Sequence, residues 1–500
     1  MICYTKFKFA VLFTVFSILC SSLSFAGKLT FSVTPDKALT GSTSKYWSIP
    51  TPNYLIDKNS KLTLTDANGQ IVSAKFYIVL LWPNENKAKF IRAFSVSTSD
   101  ELTNPLLTLT WENSNKGNLQ AAPNTVTNFH ANLSASWLSQ SFPTPMLPAK
   151  ENVKNSWFDN ANLHYGKFFE NPASNLKYQF PLDKPSIWLY DRAYSFYILY
   201  LKTGDIFWKK AGHTAASFYK SKITDNGFFS LKPNDLKYAN SQGLLFDYIF
   251  YPEVSTKTII DKIYKMTSTW STDIKTEGFW TERHHSIALN TAITQWSVTH
   301  DPQVHSRIMA FIQSAANYTS LPYNRNCLKH SYLAHEGKEL ATSVCSPWMT
   351  ALLVEQFWRY YFLTNNYQST FIIEKFATYL ASSGSFNFTY GKEESSVPKY
   401  LTLFNKPDYE NNDPWSDINH ACDVANAIAK AAYLLKLQKK DYSPLKNQII
   451  KMVKTCHRSM HRTNPNDAWP IVPPRKFNWW YGTTASFTWL LQELDISYKL

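Results

Sequence analysis

No Cys-x-x-Cys pair occurs in the 500 residues, and the His, Asp and Glu residues follow no metal-ligand spacing. The first absence excludes a zinc site built from cysteines. With the second, no metal or other cofactor is expected, although a divalent cation held by His and acidic residues stays open. Lysines are scattered rather than clustered, and no nucleic-acid motif is present, so nucleic acid is not an expected partner. Apart from the apolar run Phe9 to Leu19, the chain has no long hydrophobic stretch. That run is too short to span a bilayer, so no stable membrane insertion is expected.

What is present begins with an export signal. Lys6 and Lys8 form a basic start, Phe9 to Leu19 an apolar centre, and Ser24-Phe25-Ala26 a small-x-small cleavage site. Residues 1–26 therefore read as a signal peptide, and the mature chain as exported, either periplasmic or extracellular. The formal charge is +14. The leader removes two lysines and no acid, so the mature chain stays basic, which favours an acidic polysaccharide or another polyanion. Of six cysteines, Cys327, Cys345, Cys422 and Cys456 remain after the leader. An even count in an exported chain suggests two disulfides. Seventeen Trp and 29 Tyr are many. Most belong in a core, but sugar-binding clefts also use flat aromatic platforms.

Residues 27–145 read as β. Leu29, Phe31 and Val33 alternate with polar residues, and Leu62-Thr-Leu-Thr, Ile71 to Trp82, Phe90 to Val96 and Leu106 to Trp111 follow between turn sequences. Short alternating strands imply a β-sandwich or a small β-barrel. Residues 146–185 carry Trp157, Phe158, His164, Tyr165, Phe168 and Phe169, too many aromatics for a free linker. They read as an ordered connector. Residues 186–500 read as repeated helical hairpins: Tyr190 to Lys202 with Phe207 to Lys220, Glu282 to Val298 with Val304 to Tyr318, Trp348 to Leu363 with Thr370 to Ala381, and Ile418 to Leu437 with Leu445 to Cys456. A less regular unit spans Leu244 to Trp270, and a last helix Thr483 to Leu494. Hairpins of this kind bury their faces only by stacking. The first helix of each is apolar nearly all round, as Met349, Leu352, Leu353, Phe357, Tyr360 and Tyr361 show, so it is an inner helix. The expected fold is a multidomain β + α chain, a β-domain followed by an α/α toroid.

Inner helices of stacked hairpins run parallel, so their N-termini meet at one mouth. Polar and aromatic clusters sit at those N-termini. Tyr190, Asp191 and Arg192 open one helix; Trp280 and then Glu282, Arg283, His284 and His285 open another, with Thr281 as N-cap. His335, Glu336 and Trp348 belong to the third, Asp413, Trp415, Asp417 and His420 to the fourth, and Trp480 and Tyr481 to the last. Capping explains many such residues singly. Four ionisable residues in a row at 282–285 exceed what a cap needs. The first-turn residues Glu282, Arg283, His284, His285, Tyr190, Asp191 and Arg192 are the catalytic candidates, and the others substrate-binding ones. In the same frame Cys422 faces Cys456 across a hairpin, and Cys327 with Cys345 pins the loop that carries His335 and Glu336.

The stretches Trp188-Leu-Tyr-Asp-Arg-Ala, Tyr200-Leu-Lys-Thr-Gly-Asp, Thr281-Glu-Arg-His, Pro347-Trp-Met-Thr-Ala-Leu-Leu and Phe477-Asn-Trp-Trp-Tyr resemble α/α-toroid polysaccharide-degrading proteins. Val72-Ser-Ala-Lys-Phe with Leu81-Trp-Pro-Asn is similar to the N-terminal domain of exo-rhamnogalacturonan-lyase-like proteins. The chain departs from them in leaving no room for a further β-domain, and in Asn84-Glu-Asn after Trp-Pro. The resemblance implies carbohydrate as the substrate. Three functions follow. A lyase needs a carboxylate neutraliser (Arg283 or Arg192) and proton-transfer groups (His284, His285 or Tyr190). A glycoside hydrolase needs two carboxylates, Glu282 with Asp413, Asp417 or Asp191. A binding scaffold needs neither. The lyase is favoured.

Overall fold

The computed structural model describes residues 27–36, 44–53, 55–83, 90–102, 105–113, 116–121, 127–152, 154–170, 182–274, 281–320, 326–332, 343–404, 418–460 and 475–498. The signal-peptide reading, and Trp280, His335, Glu336, Asp413, Trp415 and Asp417, lie outside them.

Eight strands come first: β1 (Gly27–Pro35), β2 (Lys45–Pro50), β3 (Ser60–Asp66), β4 (Ala74–Leu81), β5 (Ile91–Thr98), β6 (Leu106–Asn113), β7 (Leu119–Ala121) and β8 (Phe129–Asn132). They form two four-stranded sheets, ordered β3-β6-β1-β8 and β2-β5-β4-β7. Alternation decides the packing. Leu29, Phe31, Val33, Leu62, Leu64, Leu107 and Leu109 are buried on one sheet, and Trp47, Ile49, Phe76, Phe94 and Val96 on the other. Two sheets burying one face each make a sandwich. β5 departs from alternation because all eight of its residues are buried. Its second face lies against the helices.

The helices are α1 (Ala135–Gln140), α2 (Ser156–Glu170), α3 (Arg192–Thr203), α4 (Ile206–Ser221), α5 (Gln242–Phe250), α6 (Val254–Ser268), α7 (Glu282–Thr299), α8 (Pro302–Thr319), α9 (Pro347–Thr364), α10 (Tyr367–Ala381), α11 (Ala421–Leu437), α12 (Ser443–Met460), α13 (Arg475–Thr483) and α14 (Phe487–Glu493). Local chemistry sets their ends. Asp191, Asp205, Thr281, Asp301 and Asn366 are N-caps whose side chains accept a backbone N–H two or three residues on. Gly204, His300 and Asn365 close helices in the left-handed region.

The inner helices α3, α5, α7, α9 and α11 pack each on the next, α11 packs on α13 and α14, and α13 packs back on α3. The ring is closed, an α/α toroid. The outer layer is α4, α6, α8, α10, α12 and α2. The segment between Leu244 and Trp270 is therefore a regular hairpin, α5 and α6. The last inner element is two short helices rather than one, because the backbone turns at Thr484–Ser486. Its outer partner is α2, from the segment read as a connector. Closure joins the two ends of the helical region. Asn155 donates to the Ile496 carbonyl at 3.2 Å, Phe158 meets Phe487 at 5.0 Å, and buried Lys202 bridges Asp159 at 2.8 Å and Thr488 at 3.2 Å.

The sandwich sits at the C-terminal ends of the inner helices. Ser48 Oγ donates to the Ile249 carbonyl at the end of α5 (2.5 Å), and the ring of His300, after α7, lies 3.3 Å from the Leu81 carbonyl. Gly204, after α3, approaches the Leu133 carbonyl so closely that a Cβ would stand 2.9 Å from it. Arg92 of β5 stacks on Trp82 at 5.0 Å. Phe142, just after α1, stacks on Tyr194 and Phe246 inside the ring. The base of the toroid is filled. The N-terminal end faces away from the sandwich.

Both expected disulfides are present, Cys327–Cys345 and Cys422–Cys456. The second ties α11 to α12 across 34 residues of chain. Its loss restores loop entropy to the unfolded chain, so the Cys422→Ala/Cys456→Ala pair is expected to cost about 2–4 kcal/mol. Denaturant unfolding of the double variant measures it. No helix among the described residues is long and apolar enough to cross a membrane.

Candidate active site

A half-open cavity of about 620 Å³ of empty space, some of it open to solvent, lies at the N-terminal mouth. Each wall comes from a different inner helix, at helical spacing. α7 contributes Arg283, Ser286, Ile287 and Asn290, which fall at i, i+3, i+4, i+7. α3 and its cap give Tyr190, Asp191 and Tyr194; α9 gives Leu352 and Gln356; α13 gives Asn478, Trp479 and Gly482, with Thr483. Lys237, Asn240 and Gln242 come from the turn before α5 and its start.

Asp191 is fixed by two helices at once. One oxygen accepts the Tyr194 N–H at 3.0 Å and the other the Gly243 N–H at 2.8 Å. Glycine is required at 243, because a Cβ there would stand 2.4 Å from the Asp191 carboxylate. Burial raises the Asp191 pKa, against the pull of these N–H groups and of Arg359. Deeper in, an amide chain sets the floor. Asn290 donates to Gln242 and to Gln356, both at 3.0 Å, and Ser241 donates to Asn290 at 3.0 Å. Asn478 donates to the Ile187 carbonyl at 2.9 Å, while its own buried Oδ1 accepts no hydrogen bond from the described residues. Burial pushes the Tyr194 hydroxyl well above its usual range, so it stays a phenol. The aromatic wall is Tyr190 stacked on Trp479 (5.6 Å), with the Arg283 guanidinium 5.6 Å from the Trp348 ring centroid.

Of the four consecutive candidates, Arg283 alone lines the cavity. Glu282 is buried outside it. One of its oxygens accepts the Ser346 N–H at 2.9 Å and the other lies 2.8 Å from His330 Nδ1. It fastens the disulfide-bonded loop to α7. His284 folds back on its own cap, with Nδ1 3.0 Å from Thr281 Oγ1, and its ring meets Trp270. His285 is buried between helices. The helical phase is the reason: positions 282 and 285 turn to the neighbouring helix and loop when 283 turns to the lumen. Arg192 is buried with its guanidinium over Phe196, one position past the wall. Trp480 and Tyr481 are 1% exposed and pack in the core, whereas their neighbour Trp479 lines the cavity. Trp348 is buried beneath Arg283, and His420 stacks between Trp348 and Trp479. Sequence reasoning missed Tyr194, Lys237, Asn240, Gln242, Ser286, Asn290 and Gln356. Their one available signal was polar residues repeating at i, i+3, i+4 and i+7 on an otherwise apolar inner helix. Among the described residues no group of His, Cys, Asp and Glu is arranged to hold a metal ion.

Burial drives the His285 pKa down to about 3, with neighbouring His284 and His330 adding to the fall. The unfolded ring titrates near 6.5. Between those values the unfolded chain binds a proton that the folded chain does not. The stabilising contribution of neutral His285 is therefore complete above about pH 6.5 and is lost as pH falls toward 3, with a size of a few kcal/mol. His285→Gln is expected to flatten the slope of unfolding free energy against pH in that window. Urea titrations at stepped pH read it, and an unchanged slope contradicts it.

No protein-family model matches the chain, and no curated protein matches it. A similar solved structure is the unsaturated glucuronyl hydrolase of Streptococcus agalactiae, as an aspartate-to-asparagine mutant complexed with dGlcA-GalNAc6S. It is 11% identical, with a TM-score of 0.45, and the match covers 69% of this chain and 93% of that one. At that level the likeness bears on neither chemistry nor substrate.

Proposed function

We propose that the chain is an exported carbohydrate-active enzyme that cleaves an acidic polysaccharide by β-elimination at the toroid mouth. In this reading residues 1–26 are removed, residues 27–145 form a β-domain that closes the base, and residues 186–500 carry the site. The observation that carries it is the polar content of the cavity. Arg283 stands there with Tyr190 and Tyr194, beside Asn240, Asn290 and Asn478, while Asp191 is the one carboxylate among the described lining residues and is held at both oxygens by backbone N–H groups.

Elimination needs that inventory. A cation on the uronate carboxylate stabilises the charge that develops when the C5 proton leaves. Arg283 supplies it. A positioned proton-transfer group takes the C5 proton, the electron pair forms the C4–C5 double bond, and the C4–O bond breaks with a proton delivered to the leaving oxygen. Tyr190, at the rim beside Trp479, takes the proton-transfer role. The basic charge of the chain draws in a polyanion, and the similarity of Val72–Phe76 and Leu81–Asn84 to exo-rhamnogalacturonan-lyase-like proteins points to a uronate-containing chain. A hydrolase would need a second carboxylate opposite Asp191.

Mass spectrometry of the products tests the reading. Elimination splits the substrate into fragments whose masses add to that of the parent. Fragments that together carry one added water would replace the lyase by the hydrolase.

A further inference from the structure

The cavity wall has a second layer that the proposed reaction does not use. Asp423, in the first turn of α11, is 1% exposed. Its carboxyl lies 3.5 Å from His420 Nδ1 and stands beside the Trp479 indole. Burial raises its pKa well above the carboxylate range. The His420 ring stacks on Trp348 at 5.0 Å and 23°, and its centroid is 3.6 Å from that of Trp479. The two indoles are themselves 5.1 Å apart. Trp348 is 6% exposed and Trp479 5%. So little open ring face makes them poor platforms for a sugar. What they carry is the reactive pair: Tyr190 lies against Trp479 and Arg283 over Trp348. The six side chains come from five different stretches of chain, α11 and its cap supplying only His420 and Asp423 behind the wall.

We infer that Asp423 and His420 are positioning residues of this site. They clamp Trp479 and Trp348, and those two indoles set where Tyr190 and Arg283 stand. Aromatic pairs have preferred geometries, so a ring that loses its neighbour on one face shifts or samples other rotamers. A displacement of about 1 Å at a reacting group costs up to 10²-fold in rate. Asp423 backs the clamp by packing 3.5 Å from the His420 ring, and burial favours its uncharged form there, which limits the cost of an unpaired buried charge. For its catalytic consequence the inference rests on the roles given above to Arg283 and Tyr190. For the clamp itself it does not.

The test compares Asp423→Ala, Asp423→Asn and His420→Gln with the parent chain, first by near-ultraviolet circular dichroism, which reads the coupled indoles, and then by kinetics on the cleaved polysaccharide. Asp423→Ala is expected to lose part of the near-ultraviolet band at unchanged far-ultraviolet signal, and to lower kcat about 10- to 100-fold with a smaller change in KM. Asp423→Asn, isosteric and uncharged, restores both. His420→Gln removes the stacked ring and reproduces the alanine result, which keeps the test open if Asp423→Ala does not fold. An unaltered near-ultraviolet band in Asp423→Ala or His420→Gln overturns the clamp. A lost band in a chain whose parent cleaves no polysaccharide keeps the clamp and overturns the proposed reaction.

Discussion

Arg283→Ala is expected to lower kcat/KM on an acidic polysaccharide by about 10²- to 10³-fold, the usual cost of removing one preorganised group that stabilises developing negative charge. The same change is expected to leave stability within about 0.5 kcal/mol of the parent, or to raise it slightly. The second half gives the first its force. Arg283 occupies the first turn of α7, where the helix dipole disfavours a cation. Among the described residues its buried Nε has no hydrogen-bond partner, and its guanidinium rests on an indole rather than on an acid. Nothing among the described residues around it makes it a strut, whereas its neighbour Glu282 plainly is one. A residue that contributes little to folding and faces an aromatic cavity is set for an anion. Arg283→Lys is expected to recover only part of the rate, since an ammonium reproduces neither the planar fork nor the stacking. Parallel kinetics and denaturation on the three proteins measure both halves. A loss of activity matched by a loss of several kcal/mol would reassign Arg283 to the framework.

Glu355→Ala is expected to destabilise the chain by about 3–5 kcal/mol, the largest single effect on folding. Glu355 of α9 and Lys430 of α11 form a direct ion pair inside the ring, with Lys430 1% exposed. Burial alone would push the Glu355 pKa up and the Lys430 pKa down, and each partner opposes the other's shift. Removing the carboxylate leaves Lys430 buried without it, and leaves Arg359, one turn along α9, without its nearest helical counter-charge. Replacing both partners, as in Glu355→Met with Lys430→Met, is expected to recover most of the loss, because two apolar side chains carry no unpaired charge. The pair also underlies the cavity. Lys430 and Asn426 both reach the Thr483 carbonyl, and Thr483 lines the site. Glu355→Ala should therefore loosen the floor as well as the fold. Guanidinium unfolding of the single and double variants decides it.

Much of this architecture was legible in the residues. The N-terminal alternation of Leu29, Phe31 and Val33 marks one buried face per sheet. The apolar inner helices, with polar breaks at Thr203-Gly204-Asp205 and Thr364-Asn365-Asn366, mark hairpins, and a closed ring follows from helices apolar nearly all round. Parallel inner helices bring Tyr190, Asp191, Arg283 and Trp479 to one cavity from segments almost 300 residues apart.

Less was legible about which member of each cluster faces the lumen. At 282–285 the composition singles out four residues, but only the rotation of α7 separates Arg283 from Glu282 and His285, and that rotation is set by contacts with α9 and with His330 and Ser346. The stripe Leu289, Ala292, Ile293 and Trp296 fixes the face packed away from the lumen. The face that bears on it, Arg283, Ser286, Ile287 and Asn290, includes an isoleucine and so does not stand out as polar. Lys237 and Asn240 carry no local pattern at all. Their place depends on how the turn before α5 is laid against the mouth, which is a long-range feature. The partnership of Glu355 with Lys430 is of the same kind, since 75 residues separate the two.

The central claim is that Arg283 and Tyr190 perform β-elimination on an acidic polysaccharide at the toroid mouth. The most direct measurement follows the mature chain on a panel of acidic and neutral polysaccharides, recording new reducing ends and the ultraviolet absorbance of a conjugated uronate in the same sample. The account predicts that both signals rise together on a uronate-containing chain and disappear together in Arg283→Ala and Tyr190→Phe. Reducing ends without the absorbance, or cleavage that survives in Arg283→Ala, would contradict it.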